Sequence, residues 1–295
     1  MGSKATLPSN VEVKSIDYEN ISTITEALRG QDALVITLGG FAPPDTQVKL
    51  INAASEAGVK WILPNEWGID TANADLCKDL FVMEGQPKTR ALLESIPSLS
   101  FTSIITGFWY EWSLAIVPAY GFDFAKKSVT FFDDGNTVTS MSTWPQVGRA
   151  VASLFSLPLE DNNAFGPSLS DFKNKIIYVN SFNVSQRDMF DSVLRVTNTK
   201  NSDWKITNEH SNERYADGVK GMKEGNRVGF AKMLYTRVFY PDGSGLLKKH
   251  GFANEALGLP VEDLDEATKR AYERSKTVEN WVDQDGESRH VDLAH

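Results

Sequence analysis

Few side chains in this sequence have the type and spacing for chemistry. Gly39-Gly40 closes the apolar run "LVITLGGF", Lys88 follows "EGQP", and Tyr272 precedes Lys276 by one helical turn. A glycine pair at a strand end lets a ligand approach the backbone, and a phosphate-binding turn needs such glycines together with free N–H groups. Here Phe41-Ala42-Pro43-Pro44 follows, and the two prolines supply no donor. No G-x-G-x-x-G follows a strand. "GSG" at 243–245 comes after "FYPD", lacks the third glycine and reads as a turn. A lysine desolvated beside a cofactor or apolar substrate exchanges protons readily, which makes Lys88 the catalytic candidate. The bland alternative is a surface lysine in a polar first turn. Tyr272 and Lys276 have the spacing by which an ammonium assists a tyrosine acid, but the surrounding helix is so charged that a solvated face is expected. His210, His250, His290 and His295 show no metal-ligand spacing, Cys77 is the single cysteine, and no G-x-S-x-G elbow occurs. No metal is expected.

Positioning such residues falls to alternating elements. "VEVKSIDYEN" predicts a strand over 11–17. "NISTITEALRG" predicts a helix, with Asn20 capping its start and Gly30 ending it in a left-handed turn. "DALVITLGG" is a continuous apolar run, the pattern of a strand buried on both faces. A helix over "PPDTQVKLINAASEAG", a strand over "VKWILPNEWG", a helix over "GQPKTRALLESIP" and a strand over "LSFTSIITGFWYEW" follow. This β-α-β alternation predicts a parallel sheet flanked by helices, with right-handed crossovers. Ligands of such sheets bind beyond the carboxyl ends of the strands. Those ends are Gly39-Gly40, Pro64-Asn65-Glu66 and Thr106-Gly107-Phe108, the candidate cofactor-binding residues. Trp67, Trp109, Tyr110 and Trp112, beside Phe108, fit a flat apolar substrate; ordinary core packing is the alternative. Further on, "KKSVTFFDDGNTVTSMS" predicts a hairpin turning at Asp134-Gly135-Asn136. Thr143 starts a helix with Pro145 in its first turn, and Ser185 with Asp188 caps another.

The blocks "GQDALVITLGG", "AASEAGVKWILPNEWGIDT" and "SIITGFWYEW" resemble the NmrA-like and isoflavone-reductase-like proteins, atypical short-chain dehydrogenases, especially their fungal branch. "GNRVGFAKMLYTRVFYPDG" and "LGLPVEDLDEATKRA" extend the likeness over about residues 4–275. Where the family commonly has Pro-Ser-Glu-Phe-Gly, this chain has Asn65 and Trp67. The resemblance implies a Rossmann-like α/β fold, with a shortened dinucleotide-binding domain over 1–150 and a smaller substrate-side lobe over 151–295. It implies NAD(P)H-dependent reduction of an aromatic or enone-like small molecule, often in secondary metabolism, with NADP as cofactor. It also covers regulators that bind a dinucleotide to sense redox state. In the reductases a lysine in the helix after that block assists proton transfer. Lys88 is the lysine at the start of this helix, and Gln86 is the other candidate for the position.

Family members begin with a strand, a glycine-rich turn, a helix and a second strand. "SKATLPSNVEVKSIDYEN" resembles the end of that region, so the chain is expected to lack its first β-α-β unit. The strand over 11–17 would then pair directly with "DALVITL". Three explanations remain open: a truncated gene product, a natural member turned to cofactor-free isomerisation, dehydration or cyclisation, or a non-catalytic regulator.

The bulk composition agrees with a globular small-molecule protein. The 295 residues are 41% hydrophobic and 23% charged, with net charge -9 and no basic tract, which disfavours nucleic acid and anionic membranes as partners. No run approaches the ~18 apolar residues of a spanning helix. A single cysteine and an N-terminus without an apolar signal core point to the cytoplasm.

Overall fold

The computed structural model describes residues 7–39, 42–160 and 166–278. In chain order the elements begin with α1 (Ile21–Leu28), β1 (Ala33–Val35), α2 (Thr46–Ala57), β2 (Trp61–Leu63), α3 (Ala74–Asp79), α4 (Gly85–Glu94) and β3 (Ser100–Ile105). There follow β4 (Phe108–Trp109), α5 (Tyr110–Ala115), α6 (Val117–Tyr120), β5 (Phe122–Asp123), β6 (Ser128–Phe132), β7 (Thr139–Ser142) and α7 (Trp144–Phe155). The last group is β8 (Lys175–Tyr178), β9 (Phe182–Val184), α8 (Gln186–Thr197), β10 (Lys205–Glu209), α9 (Ser211–Lys223), α10 (Arg227–Val238) and α11 (Leu264–Ser275). Strands β1, β2, β3 and β8 form a parallel sheet in that order, giving an α/β, Rossmann-like architecture. The chain divides into two compact units: residues 1–65 with 89–101, and residues 66–88 with 102–295.

In the first unit, β1 pairs with β2 and β2 with the start of β3. Leu50, Ile51, Ala53 and Ala54 of α2 are buried with Ile24, Ile62 and Phe101. Gly58 ends α2 with φ +87°, the left-handed stop its position predicts. Gly30 has φ +74° after α1, also as expected, but the Asn20 side chain makes no capping hydrogen bond. The expected strand over 11–17 does not form, and the pairing with "DALVITL" falls with it. Glu12, Lys14 and Asp17 interrupt the apolar run, and Val11 and Val13 are exposed. An inner parallel strand needs apolar residues on both faces. The 33–38 run is likewise not buried on both faces: Ala33 and Leu34 are half-buried and Val35 is exposed, because β1 pairs on one side only among the described residues.

In the second unit the rest of β3 pairs with β8. Its core centres on Tyr110, Tyr120, Phe131, Phe182, Val193 and Met233. The caps at Thr143 and at Ser185 with Asp188 form as expected, each side-chain oxygen accepting a backbone N–H. The hairpin does not form. Asp133 and Gly135 turn the chain with φ +53° and +76°, but β6 pairs with β5 and β10 whereas β7 pairs with β4 and β9. The fourth predicted strand also stops early. After β3 a glycine bend and the short β4 lead straight into α5, so Tyr110 and Trp112 are helical.

Candidate functional site

The strand-end residues of the first unit are joined by one side chain. Beyond the last backbone rung, Ile36 N–H to Leu63 O at 2.9 Å, Asn65 Oδ1 accepts the Leu38 N–H at 3.1 Å. Asn65 Nδ2 donates to the Leu38 carbonyl at 3.3 Å, and Asn65 N–H donates to Gln47 Oε1 at 2.6 Å. Pro64 is buried. Gly39 is exposed, and a Cβ there would meet nothing within 4 Å among the described residues. Gly40 lies outside the described residues.

The start of α2 does not fit a dinucleotide pyrophosphate. Pro43 and Pro44 lack N–H groups, Ala42 N–H bonds Gly39 O at 3.0 Å, and Thr46 N–H bonds Pro43 O at 3.0 Å. The Asp45 carboxylate stands at the N-cap, where a phosphate would need positive potential, and is held by Lys49 at 2.9 Å. That ion pair keeps the Asp45 carboxyl below its usual range: the hydrogen bond from Lys49 outweighs the opposing desolvation.

In the second unit, the Gly68 carbonyl accepts the N–H groups of Thr106 (3.2 Å) and Gly107 (2.9 Å). The 66–70 loop and the end of β3 are therefore one knitted surface. Thr106 is fully buried, its hydroxyl donates to Gly107 O at 2.8 Å, and its carbonyl accepts from Ser142 Oγ at 2.7 Å. These two residues build the loop, and their N–H groups are engaged by the Gly68 carbonyl. Glu66 is buried and accepts from the Thr71 hydroxyl. Trp67 and Phe108 are half-buried, with the Phe108 ring 4.1 Å from that of Tyr235.

Lys88 sits exposed in the first turn of α4, with Gln86 half-buried two residues before it. Trp109 and Trp112 both approach Trp144, with ring centroids 6.2 and 6.4 Å away. Tyr110 departs from its expected substrate role. It is fully buried, its hydroxyl is 2.7 Å from Thr268 Oγ1, and burial pushes the phenol well above its ordinary range. Tyr272 packs against Phe124, while the Lys276 ammonium lies over the Tyr272 ring and pairs with Glu273 at 2.7 Å. The Tyr-Lys spacing thus serves helix packing.

Sequence reasoning missed one cluster. Asp70, 1% exposed, accepts from Tyr178 Oη at 3.1 Å and Ala72 N at 3.2 Å, and its other oxygen lies 2.9 Å from His250 Nε2. The His250 ring stacks on Tyr178 at 4.2 Å and 6°. A carboxylate that orients an imidazole is an acid–base arrangement, and here it also ties three segments together. Among the described residues no group of three acidic, histidine or cysteine side chains could hold a metal ion, and no helix is long and apolar enough to cross a membrane.

The parallel sheet and its strand-end loops define a Rossmann-like α/β protein. No protein-family model matches the chain. It is 27% identical over 271 residues to oxidoreductase aprR of Aspergillus flavus, covering 90% of this chain and 85% of that one. Among solved structures it is similar to an isoflavone reductase, with TM-score 0.67 at 18% identity over 86% of this chain and 79% of the other. It is also similar to the NADPH-dependent quinone oxidoreductase of Escherichia coli in complex with NADPH, with TM-score 0.66 at 18% identity over 89% and 84% of the two chains. The fold is thus similar to that of an isoflavone reductase and of an NADPH-dependent quinone oxidoreductase, and a fungal oxidoreductase is a relative at low sequence identity.

Proposed function

We propose that the chain is an NAD(P)H-dependent oxidoreductase that reduces a flat aromatic or enone-like molecule in a secondary-metabolite pathway. The kinship with oxidoreductases supports this reading. So does one observation in the second unit: the Gly68 carbonyl binds the Thr106 and Gly107 N–H groups, so the loops bearing Trp67 and Phe108 lie side by side. Such a surface suits a planar apolar substrate. Lys88 delivers the proton in this reading.

The blocked start of α2 favours a second reading, a small-molecule enzyme or regulator that needs no dinucleotide. Calorimetric titration of the whole chain with NADPH and NADH separates the two. Binding at about micromolar Kd supports the reductase. A folded sample that binds neither leaves the second reading standing.

A further inference from the structure

A second feature of the larger unit concerns a guanidinium that no anion pairs with among the described residues. Arg270 and Arg274 stand one turn apart on α11. Arg270 is paired: its Nε and Nη2 each lie 3.0 Å from Oε1 of buried Glu111. The other Glu111 oxygen accepts the backbone N–H of Trp144, the first residue of α7, at 3.1 Å. Arg274 instead lies between two indoles, 4.6 Å from the centre of Trp112 and 4.8 Å from that of Trp144. Among the described residues no group accepts a hydrogen bond from its guanidinium, and its Nε is buried without a partner. Burial pulls its proton affinity below the usual arginine range. The tryptophan faces replace part of the lost hydration, and a carboxylate would add a charge-assisted hydrogen bond that no described residue supplies. Glu262 does not supply it, being engaged by Arg149, Thr143 and Ser181.

Beside this cation opens a groove of about 430 Å³ lined by Glu111, Trp144, Pro145, Arg270 and Arg274. Its size is that of a small-molecule cleft. Trp144 keeps 36% of its surface exposed there and, with Pro145, forms a flat apolar wall. Glu111 offsets Arg270, so among the described residues that line the groove one positive charge, that of Arg274, is left over. We propose that this groove binds an aromatic monocarboxylate, its ring against Trp144 and its carboxylate on Arg274. A phosphate dianion exceeds the single spare charge and covers none of the apolar wall. A neutral ring leaves the guanidinium unpaired. The site goes beyond the oxidoreductase reading and stands whether or not that reading holds.

Calorimetry on the whole chain tests it, with 2-naphthoate as probe and 2-naphthamide and inorganic phosphate as comparators. Naphthoate is expected to bind about tenfold tighter than the amide, and phosphate to give no saturable heat. In Arg274→Met, naphthoate affinity is expected to drop to that of the amide. Equal affinity for acid and amide, tighter phosphate binding, or no naphthoate binding to the folded wild type overturns the proposal. The acid–amide comparison needs no variant, so it decides the matter even if Arg274→Met fails to fold.

Discussion

The Asn65 side-chain amide engages both backbone groups of Leu38, accepting its N–H at 3.1 Å and donating to its carbonyl at 3.3 Å. It acts as one more rung of the sheet beyond the end of β1 and holds the segment that leads to Gly39. Alanine removes both bonds, and aspartate keeps the acceptor but turns a carboxylate toward the Leu38 carbonyl. Asn65→Ala is expected to cost about 1–3 kcal/mol, and Asn65→Asp at least as much. Urea unfolding and hydrogen exchange at the Leu38 amide measure this. Unchanged protection of that amide would show that the clip contributes nothing.

Gly107 has φ +64°, and a Cβ there would fall onto the Ser140 carbonyl, 2.8 Å from its carbon. Relief requires moving backbone, since no flexible side chain is involved. Gly107→Ala is expected to cost more than about 4 kcal/mol and to leave little soluble protein. Gly39→Ala, where the space is open and φ is not left-handed, is expected to be neutral or to stabilise by about 0.4–1 kcal/mol. Parallel expression and thermal melts of the two variants check the contrast.

The same contrast between local and distant constraint explains what was legible in the sequence. The helix–strand alternation from α1 to β3, the Thr143 and Ser185 caps and the Gly30 and Gly58 stops depend on neighbours within a few residues, and these formed, whereas the strand expected over 11–17 did not. Strand partners depend on the whole fold. The turn at Asp133 and Gly135 is real, yet its two flanking strands pair elsewhere. Tyr110 looks like its aromatic neighbours in sequence, and only the position of α5 buries it. The Asp70–His250 contact joins residues 180 positions apart, and no spacing rule reaches that far. A lone acid beside Thr71 and a lone histidine after two lysines carried no common signal.

Asp70 is buried with three donors directed at it: the Tyr178 hydroxyl, the Ala72 N–H and the His250 ring. A side-chain amide in place of the carboxylate would turn a donor of its own toward one of them. Asp70→Asn is expected to cost about 2–4 kcal/mol, and His250→Ala, at a more exposed position, about 1–2 kcal/mol. A double-mutant cycle read by chemical denaturation is expected to give a clear coupling between the two. Additive effects would mean that the contact does not hold the segments together.

Acid sensitivity is expected at the 242–244 turn. Burial alone would raise the Asp242 carboxyl, but hydrogen bonds from Ser244 and the charge of Arg237, 2.9 Å away, outweigh it and hold the carboxyl below its usual range. A carboxyl that binds its proton less readily when folded adds stability above its unfolded pKa. That stability fades as pH falls through the folded value. The Asp242→Asn variant is therefore expected to lose stability at neutral pH and to show a shallower decline as pH falls below about 4. Denaturation midpoints measured across that range test it, and an acid limb parallel to wild type would remove Asp242 as its source.

Lys88 is exposed, and among the described residues no hydrogen bond or ion pair holds its side chain. Its removal should therefore barely disturb the fold, within about 0.5 kcal/mol. If it delivers the proton in the proposed reduction, Lys88→Met is expected to lower kcat by about 100-fold or more while the melting temperature stays put. Lys88→Arg keeps the charge but gives up its proton far less readily, so it should be nearly as slow. A merely electrostatic role would instead be rescued by arginine. The half-buried Gln86 gives the complementary test, since Gln86→Lys in the Lys88→Met background should restore turnover only if position 86 is the one that faces the substrate. Full activity in Lys88→Met, assayed with NADPH and a quinone or enone, would take this lysine out of the reaction altogether.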